Sequence, residues 1–378
     1  MLDPKKILII ATRQIGDVMI TTPLIRRARQ IWPKAAIDLL GYHNTVGMLF
    51  QNPDIREVIE CPEHPKWPEY RRLLGKILRR YDLSIISQPS DRAHLYGFLA
   101  APRRIGIIPT KPIHNWWKRL LCERTITLNY ETQHVVSERF NLLQGYDSVQ
   151  DRIPEIVPPS KQPLPQTIRD LLRPRYIVIH ATPRWRFKRW PVSNWAELIS
   201  EINKYGIQVV LTGSNAPQDK LINTEIFSAV AGLQEIDIRA SALLNLTGQL
   251  TLAQTGLLIS ESSGYVGVDT SVTHLAAACN AKTIALFGPT PPTNYGPWPI
   301  NFSGAQPWQR VGIATVGQSR VQSSGNVCII QGPGDCVPCR QAGCLSRFES
   351  HSKCLDSLSS SEVLESVFSH LNLSKLAQ

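Results

Sequence analysis

The stretch that decides the fold is KILIIATRQIGD, residues 6–17. Its first six residues form a short, Ile-rich apolar run of the kind that is typical of a buried parallel strand. From Asp17 onward the apolar residues follow helical spacing, and Pro33 ends that helix. Gly16 lies at the junction, where it permits a tight turn or a close backbone approach. A strand, a glycine turn and a helix in this order predict the first unit of a doubly wound parallel sheet.

The same alternation of strand and helix continues along the chain and restarts after a proline-rich segment. Further short apolar runs are Ala36–Leu40, Asp82–Ser87, Arg104–Ile108, Tyr176–His180, Ile207–Thr212, Leu257–Ser260, Tyr265–Asp269 and Thr283–Phe287. Between Ile153 and Pro165 five of the thirteen residues are prolines, which predicts an interdomain linker. With 378 residues the chain exceeds what one core usually supports. We therefore expect two Rossmann-like α/β domains, residues 1–160 and 161–378, that face a central cleft, with a final helix that could return to the first domain.

The charge of the chain predicts an anionic partner. Its 41 basic and 30 acidic residues give a net charge of +11, which fits a nucleic acid, a phosphorylated substrate or an anionic membrane surface; a basic surface that only aids solubility is the alternative. The basic residues form three clusters: Arg71, Arg72, Lys76, Arg79 and Arg80; Arg103, Arg104, Lys111, Lys118 and Arg119; and Arg184, Arg186, Lys188 and Arg189. No apolar run approaches the roughly 18 residues of a membrane span, and no signal peptide is recognisable, so we expect a cytoplasmic protein.

The first candidate site is the turn that follows the first strand. Ligands of open α/β sheets bind outside the carboxyl ends of the strands, which is where Arg13, Gln14 and Asp17 lie. The spacing G-x-G-x-x-G is absent here, which argues against an NAD- or FAD-dependent enzyme. On its position alone, Asp17 fits a helix-capping acid and a catalytic carboxylate equally well.

Two further candidate sites follow strands of the second half. In VDTSVTH, residues 268–274, a strand leads into a helix of small residues, where hydroxyl and backbone N–H groups could bind a phosphate without a metal. The alternative is an ordinary capped helix with a core histidine. The segment between His180 and Pro191 carries four cations within six residues, which could offset charge on a departing diphosphate; a solvated basic loop is the alternative.

Together these segments resemble glycosyltransferase family 9, the ADP-heptose:lipopolysaccharide heptosyltransferases. The matching pieces are I-L-I-I-x-T-R-Q-I-G-D followed by T-T-P-L, then I-H-A-T-x5-K-R-W-P, V-x-V-D-T-S-V-T-H-L-A-A-A and L-F-G-P-T. The resemblance implies a GT-B fold and an inverting transfer of heptose from ADP-L-glycero-D-manno-heptose to the inner core of lipopolysaccharide, without a cofactor or divalent metal.

The resemblance also assigns roles to residues of this chain. It implies that Asp17 is the catalytic base and that the donor is bound by Thr182, Lys188, Asp269, Thr270, Ser271 and His274. Arg13, Gln14 and Arg184 are then candidates for contacts with the acceptor or with phosphate. The implied acceptor carries lipid A and Kdo, which are anionic and lie in the inner membrane of a Gram-negative bacterium. Peripheral contact with the cytoplasmic face of that membrane, through the basic first domain and the pair Trp116 and Trp117, is therefore expected.

Three points remain open from the sequence. The cysteines Cys336, Cys339, Cys344 and Cys354 could form a structural zinc site, but their spacing departs from paired CxxC motifs, so packed thiols or occasional disulfides are the alternative. A nucleic-acid-binding protein would explain the charge, yet no helix-turn-helix, RRM or zinc-finger spacing is present, and we expect no nucleic-acid partner. A glycosyltransferase of the same fold that uses another nucleotide-sugar donor or glycan acceptor would keep all of these motifs, and so would a sugar-nucleotide-binding protein without catalytic activity.

Overall fold

The computed structural model describes residues 2–110, 115–129, 133–147, 152–233, 242–310 and 319–372. The chain divides into two compact units. The first comprises Met1–Ser160 with Asn301–Gln306, and the second comprises Lys161–Ile300 with Pro307–Gln378. Within the described ranges, none of the helices has both the length and the apolar character needed to cross a bilayer.

The first unit is a six-stranded parallel sheet with helices on its faces. Its elements are β1 (Lys6–Ala11), α1 (Ile15–Met19), α2 (Thr22–Ile31), β2 (Ala36–Tyr42), β3 (Glu57–Cys61), α3 (Trp67–Ile77), β4 (Leu83–Ile86), α4 (Asp91–Ala100), β5 (Arg103–Ile108), α5 (Trp116–Leu121), β6 (Arg124–Thr127) and α6 (Val135–Asn141). The strand order is β3-β2-β1-β4-β5-β6, and every pair is parallel. The order reverses between β1 and β4, which makes that junction the topological switch point of the sheet.

The second unit repeats this plan. Its elements are α7 (Gln166–Arg169), β7 (Tyr176–His180), α8 (Val192–Lys204), β8 (Gln208–Leu211), α9 (Pro217–Leu233), β9 (Leu243–Asn245), α10 (Leu252–Ser260), β10 (Gly264–Val268), α11 (Ser271–Ala278), β11 (Thr283–Phe287), α12 (Pro292–Tyr295), β12 (Val321–Ser324), β13 (Val327–Gln331), α13 (Lys353–Asp356) and α14 (Ser360–Leu371). The strand order is β12-β13-β11-β10-β7-β8-β9, and among the strands of the described ranges only β12 is antiparallel to its neighbour. The switch point lies between β7 and β10. The expectation of two doubly wound α/β domains is confirmed.

The burial of the central strands explains why the sequence predicted them. Ile7, Leu8, Ile9 and Ile10 of β1 are fully buried, and all five residues of each of β7, β10 and β11 are buried. Helices cover both faces of each sheet, so these strands need apolar side chains on both sides and appear as continuous apolar runs.

Two local predictions differ from the structure. The single helix expected from Asp17 to Ile31 is interrupted at Ile20 and Thr21, where the Thr21 hydroxyl donates to the carbonyl oxygen of Asp17 (2.8 Å) and side-chain bonding competes with regular helix. The run Leu257–Ser260 is not strand-like but is the last turn of α10. The capping box of Thr251 and Gln254 starts that helix, and its apolar residues pack into the core.

The final helix, α14, packs within the second unit. Val363 and Val367 join the core that includes Trp190 and Trp195, and Glu362 pairs with Arg320 beside β12 (2.5 Å). The Ser359 hydroxyl accepts a hydrogen bond from the Glu362 N–H (3.3 Å), which starts the helix with a capping box. These contacts account for the place of α14 in the core of this unit.

Candidate functional site

In the first unit, two loops meet at the switch point between β1 and β4. The Ser87 hydroxyl donates to the Ile10 carbonyl oxygen (2.8 Å), and the Gln88 amide donates to the Thr12 carbonyl oxygen (3.3 Å). All four of these residues are buried. The loop after β1 is therefore fixed to the loop after β4, which makes the carboxyl edge of the sheet a rigid support for the side chains that follow.

Asp17 lies in α1, directly after this loop, and is held by Arg139 of α6. Arg139 Nη2 donates to Asp17 Oδ1 (2.8 Å), while Nη1 donates to the Asp17 carbonyl oxygen (2.7 Å) and to the Thr21 hydroxyl (3.2 Å). The Arg139 side chain is buried, whereas that of Asp17 remains 27% exposed. Asp17 Oδ2 accepts no hydrogen bond from the part of the chain that the structure describes. The arrangement orients the carboxylate and leaves one oxygen accessible to a substrate hydroxyl.

Arg13 and Gln14 lie in the loop that leads into α1, and both are exposed. Gln14 is the residue that precedes the first turn of α1. The Arg13 guanidinium makes no ion pair with the described residues, so its charge is available to an anionic group. These two side chains stand at the same edge of the sheet as Asp17.

In the second unit, the switch point between β7 and β10 brings two predicted donor residues together. Lys188 lies in a short 3₁₀ turn, Arg186–Lys188, after β7, and Asp269 follows β10 directly. Lys188 Nζ and Asp269 Oδ2 are 2.6 Å apart, and their side chains are 23% and 8% exposed. The ammonium group thus lies at the carboxyl edge of the sheet with a counter-ion already in place.

The N-terminus of α11 adjoins this ion pair. Thr270 precedes the helix in an extended conformation, and its side chain does not cap the helix; its hydroxyl instead lies 3.3 Å from that of Thr273. The N–H groups of the first turn, beside Ser271, are therefore available to an anion, which the helix dipole also favours. His274 is buried one turn into the same helix.

Thr182 lies just beyond β7 and is 4% exposed. Its hydroxyl oxygen is buried and has no hydrogen-bond partner among the described residues. A buried hydroxyl left in this state costs about 1–3 kcal/mol, and a ligand that bonds to it would recover that energy. By contrast, the neighbouring His180 bonds to the Thr212 hydroxyl (3.1 Å), and burial lowers its pKa to about 4, so it is a neutral core residue at physiological pH.

The loop that carries Arg184 and Lys188 is held by a segment close to the C-terminus. The guanidinium of Arg184 lies 4.8 Å from the ring centre of Trp185, and Trp185 stacks on Phe348 with 4.4 Å between ring centres. The Ser352 hydroxyl, which is buried, donates to the Phe187 carbonyl oxygen (2.6 Å). The position of Lys188 therefore depends on Phe348 and Ser352, which the sequence did not single out.

The structure does not group the four C-terminal cysteines as a metal site, which was one of the possibilities that their spacing left open. Within the described ranges, no group of three or more His, Cys, Asp or Glu side chains is placed to hold a metal ion, and all four cysteines are free thiols. Cys336 and Cys344 are exposed, whereas Cys354 is buried and burial raises its pKa to about 12. Cys344 accepts a hydrogen bond from the backbone N–H of Lys353 (3.3 Å).

Comparison with known proteins identifies one family. A sequence model described as glycosyltransferase family 9 (heptosyltransferase) matches residues 70–306. The chain is 28% identical to lipopolysaccharide heptosyltransferase 3 of Escherichia coli over 299 residues, and 30% identical to lipopolysaccharide heptosyltransferase 2 of E. coli strain K12 over 311 residues. Each alignment covers 76% of this chain and 84% of the relative.

The fold is similar to that of solved structures in the same family. The structure of E. coli ADP-heptose LPS heptosyltransferase II superposes with a TM-score of 0.69 at 21% identity, over 98% of this chain and 99% of that one. This similarity confirms the GT-B fold class that the sequence motifs implied.

Proposed function

Because this chain belongs to glycosyltransferase family 9, we propose that it transfers heptose from ADP-L-glycero-D-manno-heptose to the inner core of lipopolysaccharide, with inversion at the anomeric carbon. Membership of the family makes the chain a glycosyltransferase. The donor and the acceptor class are supported by the names of its relatives, which are lipopolysaccharide heptosyltransferases and an ADP-heptose-dependent enzyme. The observation that carries the proposal is the Lys188–Asp269 pair beside the uncapped N-terminus of α11.

On the donor side, the second unit holds the groups that a departing diphosphate requires. The Lys188 ammonium, which is paired with Asp269, lies close to the hydroxyls of Thr270 and Ser271 and to the first-turn N–H groups of α11. Together these groups supply a cation, a helix dipole and several hydrogen-bond donors. The Thr182 hydroxyl, which lacks a partner, is available to the donor as well. We propose that these groups stabilise ADP as it leaves, without a cofactor or a divalent metal.

On the acceptor side, Asp17 accepts the proton. As the bond between the acceptor oxygen and the anomeric carbon forms, the bond from that carbon to the diphosphate oxygen breaks, and the acceptor's hydroxyl proton passes to the carboxylate of Asp17. Arg139 occupies Oδ1 and so directs Oδ2 to the hydroxyl. Arg13 and Gln14, exposed at the same edge, contact anionic groups of the acceptor.

The acceptor determines where the reaction occurs. Lipid A and Kdo carry phosphates and carboxylates and lie in the inner membrane, so we propose that the protein works from the cytoplasm at the surface of that membrane. The net charge of +11 supports an anionic partner, and we propose that this partner is the lipid-borne acceptor rather than a nucleic acid.

The experiment that tests the proposal measures binding and transfer separately. Titration calorimetry with ADP-heptose and with GDP-, UDP- and dTDP-sugars should show tight binding of the ADP-sugar alone, and mass spectrometry of a heptose-free core acceptor should then show the addition of one heptose. Preferential binding of another nucleotide sugar would overturn the proposed donor.

Variants of Asp17 separate catalysis from binding. Asp17→Asn should bind ADP-heptose as the wild type does but transfer heptose about 10²–10⁴-fold more slowly, the usual contribution of a general base. Wild-type turnover by this variant excludes Asp17 as the base. A wild-type protein that binds ADP-heptose but transfers no heptose to any core acceptor would instead be a sugar-nucleotide-binding protein without this catalytic activity.

A further inference from the structure

We propose that the outward faces of α3, α4 and α5 in the first unit form a docking surface for an anionic lipid bilayer. This inference rests on the proposed function, in which the acceptor is lipid-borne. It names the part of the protein that meets the membrane, and three sets of observations support it.

The first observation is the concentration of exposed apolar side chains on these three helices. Trp67, Trp116 and Leu120 are 72%, 63% and 76% exposed, and Leu95 and Phe98 are about half exposed. Trp116 and Leu120 are four residues apart in α5, and Leu95 and Phe98 are three apart in α4, so each pair lies on one side of its helix. Large aromatic and aliphatic groups in water are unfavourable, whereas tryptophan is favoured at the level of lipid headgroups.

The inner faces of the same helices explain why these side chains point outward. Leu73 and Ile77 of α3 and Ala93, Tyr96 and Ala100 of α4 are buried in a single core together with Cys122, the residue after α5. The three helices therefore cover the same face of the sheet. Arg104 joins two of them, because it donates to the Leu121 carbonyl oxygen at the end of α5 and lies 5.3 Å from the ring centre of Phe98.

The second observation is the charge around the apolar groups. Six exposed cations lie on or directly after these helices: Arg71, Arg72, Lys76, Arg79, Arg80 and Arg119. The helices contain two acidic residues, and each makes a hydrogen bond or an ion pair within the protein. Glu69 accepts from the Lys66 N–H (2.6 Å), and Asp91 pairs with Lys118 (2.5 Å).

Two residues that the sequence suggested for membrane contact do not belong to this docking surface: Lys118 of the second basic cluster and Trp117 of the tryptophan pair. Lys118 is buried, and its ammonium also donates to the Pro89 carbonyl oxygen (2.8 Å). Trp117 is half-buried with its ring 6.2 Å from that of His94. The cations that remain exposed attract an anionic leaflet by about 1 kcal/mol each where they come close to it.

The third observation is the direction of the helices. Each follows a parallel strand and so begins at the carboxyl edge of the sheet, and Trp67 and Trp116 are the first residues of α3 and α5. Helix α1, which carries Asp17, begins at this same edge after β1. A bilayer bound to the tryptophan end of the docking surface therefore lies beside the edge where the acceptor hydroxyl is needed.

The test uses the whole protein and sedimentation with lipid vesicles. The wild type should bind vesicles of phosphatidylethanolamine with phosphatidylglycerol, and it should bind only weakly to vesicles of pure phosphatidylcholine. Roughly 0.5 M salt should release the bound protein, because such a concentration screens the attraction between surface charges. Trp116→Ser/Leu120→Ser should weaken binding at least tenfold. Arg72→Ser/Lys76→Ser should weaken it by about 30-fold, the equivalent of about 2 kcal/mol for two cations.

A matched control removes exposed apolar groups elsewhere. Leu221→Ser/Leu233→Ser alters α9 of the second unit, where both side chains are more than half exposed, and should bind vesicles as the wild type does. Thermal melting should show that all three double variants are folded. Failure of the folded wild type to bind anionic vesicles, or equal binding by Trp116→Ser/Leu120→Ser, would overturn the docking surface. Binding of an acidic protein but of no vesicle would assign the surface to a protein partner and would overturn it as well.

Transfer assays distinguish this inference from the proposed function. Trp116→Ser/Leu120→Ser should transfer heptose to a delipidated, water-soluble core oligosaccharide at the wild-type rate, but at least tenfold more slowly to an acceptor embedded in vesicles. If the variant transfers heptose to both acceptors at the wild-type rate, the docking surface is contradicted and the proposed transferase activity is not. Absence of transfer from ADP-heptose to either acceptor, with vesicle binding intact, contradicts the proposed function instead.

Discussion

Replacement of Arg139 by methionine tests whether this buried arginine positions the proposed base. The substitution preserves an unbranched, buried side chain but removes the donors to Asp17 Oδ1 (2.8 Å), the Asp17 carbonyl oxygen (2.7 Å) and the Thr21 hydroxyl (3.2 Å). Asp17 itself stays in place, so the variant changes the orientation of the carboxylate rather than its presence. The sequence gap of 122 residues between the two partners makes the contact purely tertiary.

The expected size of the effect follows from the geometry. A displacement of a reacting group by about 1 Å costs roughly 100-fold in rate, which corresponds to about 2.7 kcal/mol. The loss of folding stability should be about 2–3 kcal/mol, less than the roughly 3–5 kcal/mol that breaking a fully buried pair costs, because the partly exposed Asp17 carboxylate can be hydrated. We therefore expect kcat to fall by about 100-fold, while the dissociation constant for ADP-heptose changes less than about twofold, since the groups that we propose to bind the donor lie in the second unit.

A double-mutant cycle with Asp17→Asn provides the assay. If Arg139 acts through Asp17, then Asp17→Asn/Arg139→Met should be no slower than Asp17→Asn within about threefold, because the two residues act as one unit. Arg139→Lys is the matched control; it keeps the charge but cannot reach all three acceptors, and it should recover part of the rate. Additive losses in the double variant, or an unchanged kcat in a folded Arg139→Met protein, would refute the positioning role.

Three further variants test the second unit and the core of the first. Lys188→Met should weaken ADP-heptose binding by about 30-fold, since it removes a charge-assisted contact worth about 2 kcal/mol, whereas Lys220→Met, on the exposed side of α9, should not; equal affinities in calorimetry would exclude Lys188 from donor binding. Ser352→Ala should raise the KM for ADP-heptose about tenfold without a change in the KM for the acceptor, because it frees the Phe187 carbonyl that anchors the Lys188 loop; a loss of stability with unchanged kinetics would contradict this role. Glu138 is buried, and burial raises its pKa to about 7. A raised carboxyl pKa favours the folded state at low pH, so stability should fall on the order of 3 kcal/mol as the pH rises from about 4.5 through 7. Denaturant melts at several pH values give the free energy of unfolding as a function of pH. Glu138→Gln should remove the fall in this free energy between pH 4.5 and 7, and the same fall in both proteins would show that another group titrates.

The sequence predicted the strands that are buried on both faces, and through them the place where the proposed donor residues meet. Lys188 and Asp269 are 81 positions apart in the chain, yet each follows a buried run that was recognised as a strand. In a doubly wound sheet the first and fourth strands of the unit are neighbours, so side chains at their carboxyl ends must lie close together. Their 2.6 Å contact is thus a consequence of topology that the sequence already contained.

Arg139 was missed because nothing in its surroundings distinguishes it. The segment VVSERFN, residues 135–141, contains a charged pair between apolar residues, which is compatible with an ordinary amphipathic helix. The partner of a buried arginine is chosen by tertiary packing, and helical spacing holds no information about it. The contacts of Ser352 and Phe348 with the Lys188 loop are also tertiary and were missed too. In addition, the cysteine spacing around these two residues drew attention to a possible metal site.

The two proposed catalytic charges are each stabilised by a counter-charge from a different element, but with opposite consequences for the reaction. Arg139 contacts Oδ1 and the backbone of Asp17, so it can remain bound while Oδ2 takes a proton. Asp269, in contrast, contacts the same Nζ of Lys188 that a diphosphate would need. A donor must therefore share Lys188 with Asp269 or displace Asp269 from it. Part of the donor's binding energy is then spent on the repulsion between its diphosphate and the buried Asp269 carboxylate. Because the ammonium is paired before the donor arrives, its attraction for the diphosphate is weaker in the ground state than an isolated lysine would give. The ammonium stabilises the diphosphate most strongly as negative charge grows on the departing ADP. An interaction that is stronger in the transition state than in the ground state accelerates the transfer and does not only tighten the complex.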